Sequence, residues 1–73
     1  MEKEDIIRSI LSVCNDMGVS VKTKVKTANW KADIMVDYQN YKVAFNVCKN
    51  PRNIEDLYTT MRKERVCGCW LVL

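Results

Sequence analysis

The sequence predicts a small domain of the α/β class, in which two helices pack on a mixed four-stranded sheet. Apolar residues recur at helical spacing in two stretches, and three other stretches alternate between apolar and polar residues as strands do. A continuously apolar run near the end of the chain adds a fourth strand. Because 73 residues leave room for one domain, we expect residues 1–73 to form a single unit.

The first predicted element is an amphipathic helix over residues 2–17. Apolar side chains recur every three or four residues along it, which places them on one face. Acidic side chains at Glu2, Glu4 and Asp5 suit the positive end of the helix dipole. Gly18 is expected to end the helix, because glycine adopts the left-handed conformation readily.

Three strands are predicted over residues 19–27, 30–38 and 41–48, where β-branched or aromatic residues alternate with polar ones. Gln39 and Asn40 lie between the second strand and the third. Since Asn tolerates a positive φ, a tight hairpin is expected there. The three strands should therefore form an antiparallel meander.

The second helix is predicted to begin near Pro51, with Asn50 or Asn53 as its N-cap, and to end near Arg65. After Gly68, residues 69–73 are apolar on both faces, as expected of a strand that is covered from both sides. Because the helix carries the chain back, this strand should lie parallel to the third strand through a right-handed crossover.

The composition narrows the setting of the domain. Apolar residues make up 48% and charged residues 29%, as in an ordinary globular protein. No apolar run approaches the roughly 20 residues that span a bilayer, and residues 1–5 lack the apolar core of a secretory signal. We therefore expect a cytoplasmic domain with no membrane partner.

The cysteines are expected to be reduced and buried, as small apolar side chains. They are Cys14, Cys48, Cys67 and Cys69. Cys67 and Cys69 are one residue too close for the Cys-x-x-Cys spacing of zinc sites, and the chain has no His. No zinc is therefore expected.

The hairpin between the second and third strands pairs residues whose numbers sum to 79. Asp33 then faces Asn46, and Asp37 faces Lys42 as a cross-strand ion pair. Cys48 lies two residues beyond Asn46, on the same face. The sequence thus predicts a polar cluster of Asp33, Asn46 and Cys48.

The element order and two segments resemble a known family. The segments are WKADIMV at residues 30–36 and KVAFNVCKNP at residues 42–51. The element order is similar to the restriction-endonuclease-like PD-(D/E)XK superfamily, whose motif is an Asp early in the second strand and Glu-x-Lys on the third. The segments look most like the competence-protein CoiA-like branch of nuclease-like domains, and residues 53–65 and 66–71 resemble its next helix and strand. The resemblance spans residues 19–73.

Carried over residue by residue, the resemblance implies that Asp33 matches the metal-binding acid, Asn46 replaces a Glu, and Cys48 replaces a Lys or Gln. Mg²⁺ prefers carboxylate oxygens, so one Asp and one neutral amide make a poor site. Cys48 is also a poor substitute for a residue that positions water or stabilises developing charge. We expect an inactive site without a cofactor. The alternative is a Mg²⁺-dependent nuclease that uses Asp33 with other helpers, such as Lys63.

Four lysines lie in a stretch without acidic residues, in a chain of net charge +3. They are Lys22, Lys24, Lys26 and Lys31. A solvated strand face, or protection of a sheet edge against aggregation, is the plainer explanation. Their strand spacing of roughly 6–7 Å also matches a phosphate track. Trp30 and Trp70 are expected in the core rather than as platforms for base stacking.

Taken together, the sequence favours an inactive nuclease-like domain that acts as a binding module, with nucleic acid as the leading partner. A module for protein interaction or homodimerisation through an exposed strand edge is a further alternative.

Overall fold

The computed structural model describes residues 2–50 and 52–73, and it confirms the predicted α/β fold with the order α-β-β-β-α-β. The elements are α1 (Lys3–Met17), β1 (Ser20–Lys26), β2 (Lys31–Tyr38), β3 (Tyr41–Cys48), α2 (Ile54–Lys63) and β4 (Val66–Val72). Neither helix in the described ranges has the length and apolar character needed to cross a bilayer.

The four strands form one mixed sheet in the order β1-β2-β3-β4. The first three are antiparallel neighbours, and β4 runs parallel to β3 after the connection through α2. Asp37 pairs with Lys42, which confirms the predicted register of the hairpin. The residue with positive φ in this turn is Gln39, at 55°, rather than Asn40. The turn therefore places Gln39 at the position with positive φ, although Asn generally tolerates a positive φ better than Gln does.

Helix α1 ends as predicted. Gly18 has φ 70° and ψ 25°, in the left-handed region, and its N–H donates to the carbonyl of Asn15. The N–H of Val19 donates to the carbonyl of Cys14. These two bonds satisfy carbonyls that the last helical turn would otherwise leave unpaired.

Helix α1 covers one face of β1, β2 and β3 but does not reach β4. A groove of about 460 Å³ lies between the apolar face of α1 and the sheet, and Cys14, Val36 and Phe45 are among the residues that line it. On the opposite face, the backbone of α2 lies closest to β4, and its side chains Leu57 and Met61 also pack against the start of β2 and against Ala44 of β3. Much of the β1 and β2 surface on the α2 side is therefore left open.

Helix α2 begins after Asn53, which has a positive φ of 57° and makes no capping hydrogen bond with its side chain. The prediction for Pro51 lies outside the described residues. Met61 is fully buried, and it joins Trp30, Ala44 and Val66 in the core on this side of the sheet. Trp30 is therefore a core residue, as predicted.

Strand β4 begins at Val66, so Gly68 lies inside the strand rather than before it. A Cβ atom at Gly68 would lie 2.5 Å and 2.6 Å from ring atoms of Trp70 and 3.0 Å from the sulfur of Met61. The missing side chain thus creates the space that the indole of Trp70 fills. Trp70 also contacts Tyr58 edge-on, with ring centroids 4.6 Å apart.

The prediction that all four cysteines are buried is wrong. Cys14 is buried, Cys48 and Cys69 are half-buried, and Cys67 is exposed. Each of the last three lies in a strand next to apolar residues, but α1 does not extend over β4. Apolar neighbours in the sequence therefore do not bury Cys67.

We expect Gly68→Ala to lower the free energy of unfolding by about 2 kcal/mol, because the added methyl group overpacks against Trp70 and Met61. Urea denaturation measures the change. Combining Gly68→Ala with Trp70→Leu should remove most of this additional cost, since the ring is then absent. A strictly additive double variant would contradict this explanation.

Candidate functional site

A polar cleft lies at the end of the sheet where β1 ends and β2 begins, next to the end of β3 and the start of α2. Its volume is about 740 Å³, and its walls include Leu57 of α2 and Trp70 of β4. Five cationic side chains line it, against the single carboxylate of Asp33. The cations are Lys3, Lys24, Lys26, Lys31 and Arg52. This cleft contains the predicted cluster.

Asp33 is held by two partners. Its Oδ2 accepts a hydrogen bond of 2.8 Å from the backbone N–H of Val47. Its Oδ1 lies 3.2 Å from Nζ of Lys3, and the side chain of Asp33 is 23% exposed. Each carboxylate oxygen therefore already has a donor within the protein. Such charge-assisted bonds are stronger than bonds between neutral groups.

The pairing of β2 with both neighbouring strands is interrupted at Asp33. Lys24 is opposite Asp33 in the β1–β2 register, but the two do not pair, and Lys24 has a positive φ of 52°. On the other side, the β2–β3 pairs end at Ile34 with Phe45. The carboxylate of Asp33 thus replaces a backbone carbonyl as the acceptor for the N–H of Val47. The interrupted pairing leaves space between the strands that forms part of the cleft.

Asn46 and Cys48 also line this cleft, so the structure brings Asp33, Asn46 and Cys48 together. Nδ2 of Asn46 donates a 3.0 Å hydrogen bond to the carbonyl of Lys31. Cys48 is a half-buried free thiol. The amide therefore links β3 to β2 and adds no negative charge next to Asp33.

The four predicted lysines do not act as one group. Lys24, Lys26 and Lys31 line the cleft, but Lys22 lines a separate depression together with Asp37, Lys42 and Glu64. Lys22 is thus near two acidic side chains and lies outside the cleft that the other three lysines line.

Two further predictions concern residues around that depression. Asp37 and Lys42 are register partners, but their charged groups do not form an ion pair within 4.0 Å. The indole N–H of Trp30 donates to the carboxylate of Glu64, and Trp30 is only 8% exposed. The ring is therefore fixed in the core and its edge is hydrogen-bonded.

Sequence reasoning missed Lys3, and it named Arg52 only as one of several cations that could extend the basic patch. Lys3 is at the start of α1, far from Asp33 in sequence, and its position depends on how α1 lies on the sheet. Arg52 precedes α2 and reaches the same cleft. Lys63, the predicted helper, is at the far end of α2 and does not line the cleft.

The described residues contain no group of three or more His, Cys, Asp or Glu side chains arranged to hold a metal ion. In the cleft, the oxygen donors that Mg²⁺ favours reduce to one carboxylate, and that carboxylate already binds Lys3 and Val47. The donor set therefore does not fit the metal centre that the resemblance to nucleases implies.

Comparisons with protein-family models, with curated proteins and with solved structures give no match to this chain.

We expect Asp33→Ala to lower the free energy of unfolding by about 2 kcal/mol, because the N–H of Val47 loses its acceptor in a half-buried position. Asp33→Asn keeps an acceptor oxygen and should cost about half as much. Lys3→Met should cost less than about 1 kcal/mol, since the Lys3 side chain is 47% exposed. Urea denaturation of the three variants gives the order, and a Lys3→Met loss equal to that of Asp33→Ala would contradict it.

Proposed function

We propose that this chain is a catalytically inactive, nuclease-like domain that binds nucleic acid in the cleft around Asp33. The observation that carries the proposal is the excess of positive charge, five cationic side chains against one carboxylate. Asp33 is itself paired with Lys3, so it cancels little of the charge of the other four. A concave surface with one sign of charge attracts a polyanion and orients its approach.

The arrangement of the cations supports contact with a phosphate backbone. Lys24, Lys26 and Lys31 are exposed at neighbouring ends of β1 and β2, and Arg52, in the segment before α2, lines the same cleft. A strand of nucleic acid in the cleft would therefore contact cations from two sides. The side chains of Asn29 and Asn50 add neutral hydrogen-bonding groups to the same walls.

The absence of catalysis follows from the chemistry of three positions. Both oxygens of Asp33 have donors within the protein, and Asn46 donates its amide to Lys31. The ammonium group of Lys3 lies against Oδ1, where a divalent cation would have to bind. Cys48 offers no positive charge to stabilise a leaving group. No step through a metal ion is therefore part of the proposal.

A cytoplasmic location belongs to the same proposal. All four cysteines are free thiols, and Cys67 and Cys69 lie near each other in β4 without a disulfide bond. Free, partly exposed thiols are typical of reducing compartments.

We expect the native chain to bind a short fluorescein-labelled oligonucleotide at low salt, and Lys24→Glu/Lys26→Glu to bind it at least about tenfold more weakly. Two lost phosphate contacts should also reduce the slope of log K against log salt by about 1.4 for a single strand. Fluorescence anisotropy with DNA and RNA, single-stranded and duplex, measures both quantities.

The matched control is Lys22→Glu/Lys42→Glu, which makes the same change in net charge outside the cleft. This control should lose much less affinity. Equal losses in the two double variants would mean that net charge, and not the cleft, controls binding. Binding that is insensitive to salt would contradict phosphate contact altogether.

We expect Asn46→Glu to create a metal site that the native chain lacks, because it adds a second carboxylate beside Asp33. Mn²⁺ should bind this variant at least about tenfold more tightly than the native chain or Asn46→Gln. Paramagnetic broadening of the backbone amide signals near Asp33 and Val47 follows the titration. Equally tight binding by the native chain, with DNA cleavage that Asp33→Ala abolishes, would favour the nuclease alternative.

A further inference from the structure

The two edges of the sheet differ in how well they are protected against pairing. Strand β1 carries three lysines and an irregular backbone at Lys24. Strand β4, with the sequence VCGCWLV, carries no charged residue and no proline over seven residues. Charges and irregularities on an edge strand prevent it from pairing with other chains. Only the β4 edge lacks both.

The outer edge of β4 presents unpaired backbone groups. The N–H of Leu73 donates to the carbonyl of Cys48. Because backbone groups alternate along a strand, the N–H and C=O groups of Cys67, Cys69 and Leu71 also point toward β3. The N–H and C=O groups of the alternate residues face outward. These residues are Val66, Gly68, Trp70 and Val72. No strand in the part of the chain that the structure describes pairs with them.

A depression of about 520 Å³ runs beside this edge. Val66, Cys67 and Gly68 of β4 form one wall, and Tyr58 and Thr59 of α2 contribute to the other. Glu55 and Arg62 of α2 line the same depression. Cys67 and Val72 are exposed on this strand, Cys69, Trp70 and Leu71 are half-buried, and Val66 and Gly68 are buried. The space next to the edge carries one charge of each sign.

We propose that β4 pairs antiparallel with β4 of a second copy of this chain, which joins two four-stranded sheets into one of eight strands. The twofold axis passes at Cys69, the midpoint of Val66–Val72. In this register the outward-facing residues meet each other, Val66 with Val72 and Gly68 with Trp70 of the second copy. Up to about eight hydrogen bonds then form between the chains.

The charges on α2 favour a second copy over an unrelated strand. Glu55 is in the first turn of α2 and Arg62 is in the last. A twofold axis places the two α2 helices antiparallel, so that Glu55 of each copy faces Arg62 of the other. The pairing is thus complementary to itself, and no like charges meet along the β4 strands.

The register makes a specific prediction for the cysteines. Cys69 faces Cys69 of the second copy in a pair without backbone hydrogen bonds, with Cα atoms about 4.5 Å apart. This distance lies within the range of disulfide bonds. Cys67 faces Leu71 of the second copy instead, although Cys67 is the more exposed thiol of the two.

Mild oxidation with diamide tests this register. Two thiols lose two protons and two electrons to the reagent as the S–S bond forms. We expect a dimer of twice 8.5 kDa on a non-reducing gel. Cys67→Ser should keep at least about four fifths of this product, and Cys69→Ser should lose it. A dimer that requires Cys67 instead, or a monomer in all samples, overturns the proposal.

Sedimentation velocity tests the association without chemical modification. Val72 is 60% exposed and its N–H faces the free edge, so Val72→Pro removes a donor between the chains but none within the sheet. We expect the dissociation constant of the dimer to rise at least tenfold in Val72→Pro and to change little in Val72→Thr. A native chain that stays monomeric at millimolar concentration overturns the proposal, as does equal association of both variants. Neither test contains nucleic acid, so failure here leaves the proposed binding function unaffected.

Discussion

The hydrogen bond between the carboxylate of Asp33 and the N–H of Val47 determines both the shape and the chemistry of the cleft. Because Cys48 accepts a bond from β4, the N–H of the preceding Val47 points toward β2. A side-chain oxygen, rather than a backbone carbonyl, accepts its proton. Val47 is 1% exposed, so this N–H could not find water if the acceptor were lost. The bond therefore stabilises β3 where regular pairing with β2 has ended. It also engages the one carboxylate of the cleft in holding the sheet together.

Uneven coverage of the sheet explains why a cleft exists at this place. A chain of 73 residues cannot cover both faces of four strands, because small domains bury only about 60% of their unfolded surface. Helix α1 covers three strands on one face, and α2 covers β4 and the neighbouring part of β3 on the other. The exposed remainder of β1 and β2 must be polar, and lysines satisfy that requirement without a partner. Lys3 and Arg52 join these lysines in the same cleft although both lie outside the sheet.

The sequence was sufficient to predict the sheet and the central cluster, because period-two alternation and a two-residue turn fix which side chains meet. The pairing of Asp37 with Lys42 follows from this pattern, but the predicted pairing of Asp33 with Asn46 does not form, because regular pairing ends at Ile34 with Phe45. Alternation gives no information about where a helix lies, so Lys3 could not be assigned to the site. Alternation also predicts that Lys22 and Lys24 share a face. It gives no sign that Lys22 lies in a depression with Asp37 and Glu64 while Lys24 lines the cleft.

The start of β4 was missed for a related reason. Glycine normally weakens a strand, so the sequence pattern predicts that the last strand begins after Gly68. In the structure the glycine is required inside the strand, because the indole of Trp70 lies over it. This contact links two residues of one strand with Met61 of α2, and such three-way packing leaves no periodic signal in a sequence.

The cleft and the β4 edge lie on different parts of the molecule, and their geometry is compatible. A twofold axis through Cys69 and perpendicular to the sheet places the two clefts toward opposite ends of the strands, because each lies near Cys48 and Val72. Five strand spacings, about 24 Å at 4.8 Å per spacing, separate the two copies of β2, and the clefts are further apart than this lateral distance. A nucleic acid strand long enough to span that distance could contact both clefts, and the second contact would benefit from a high effective concentration. Pairing at an uncharged edge would thus convert two weak basic surfaces into one extended surface, while the lysines of β1 remain at the outer edges and limit further association.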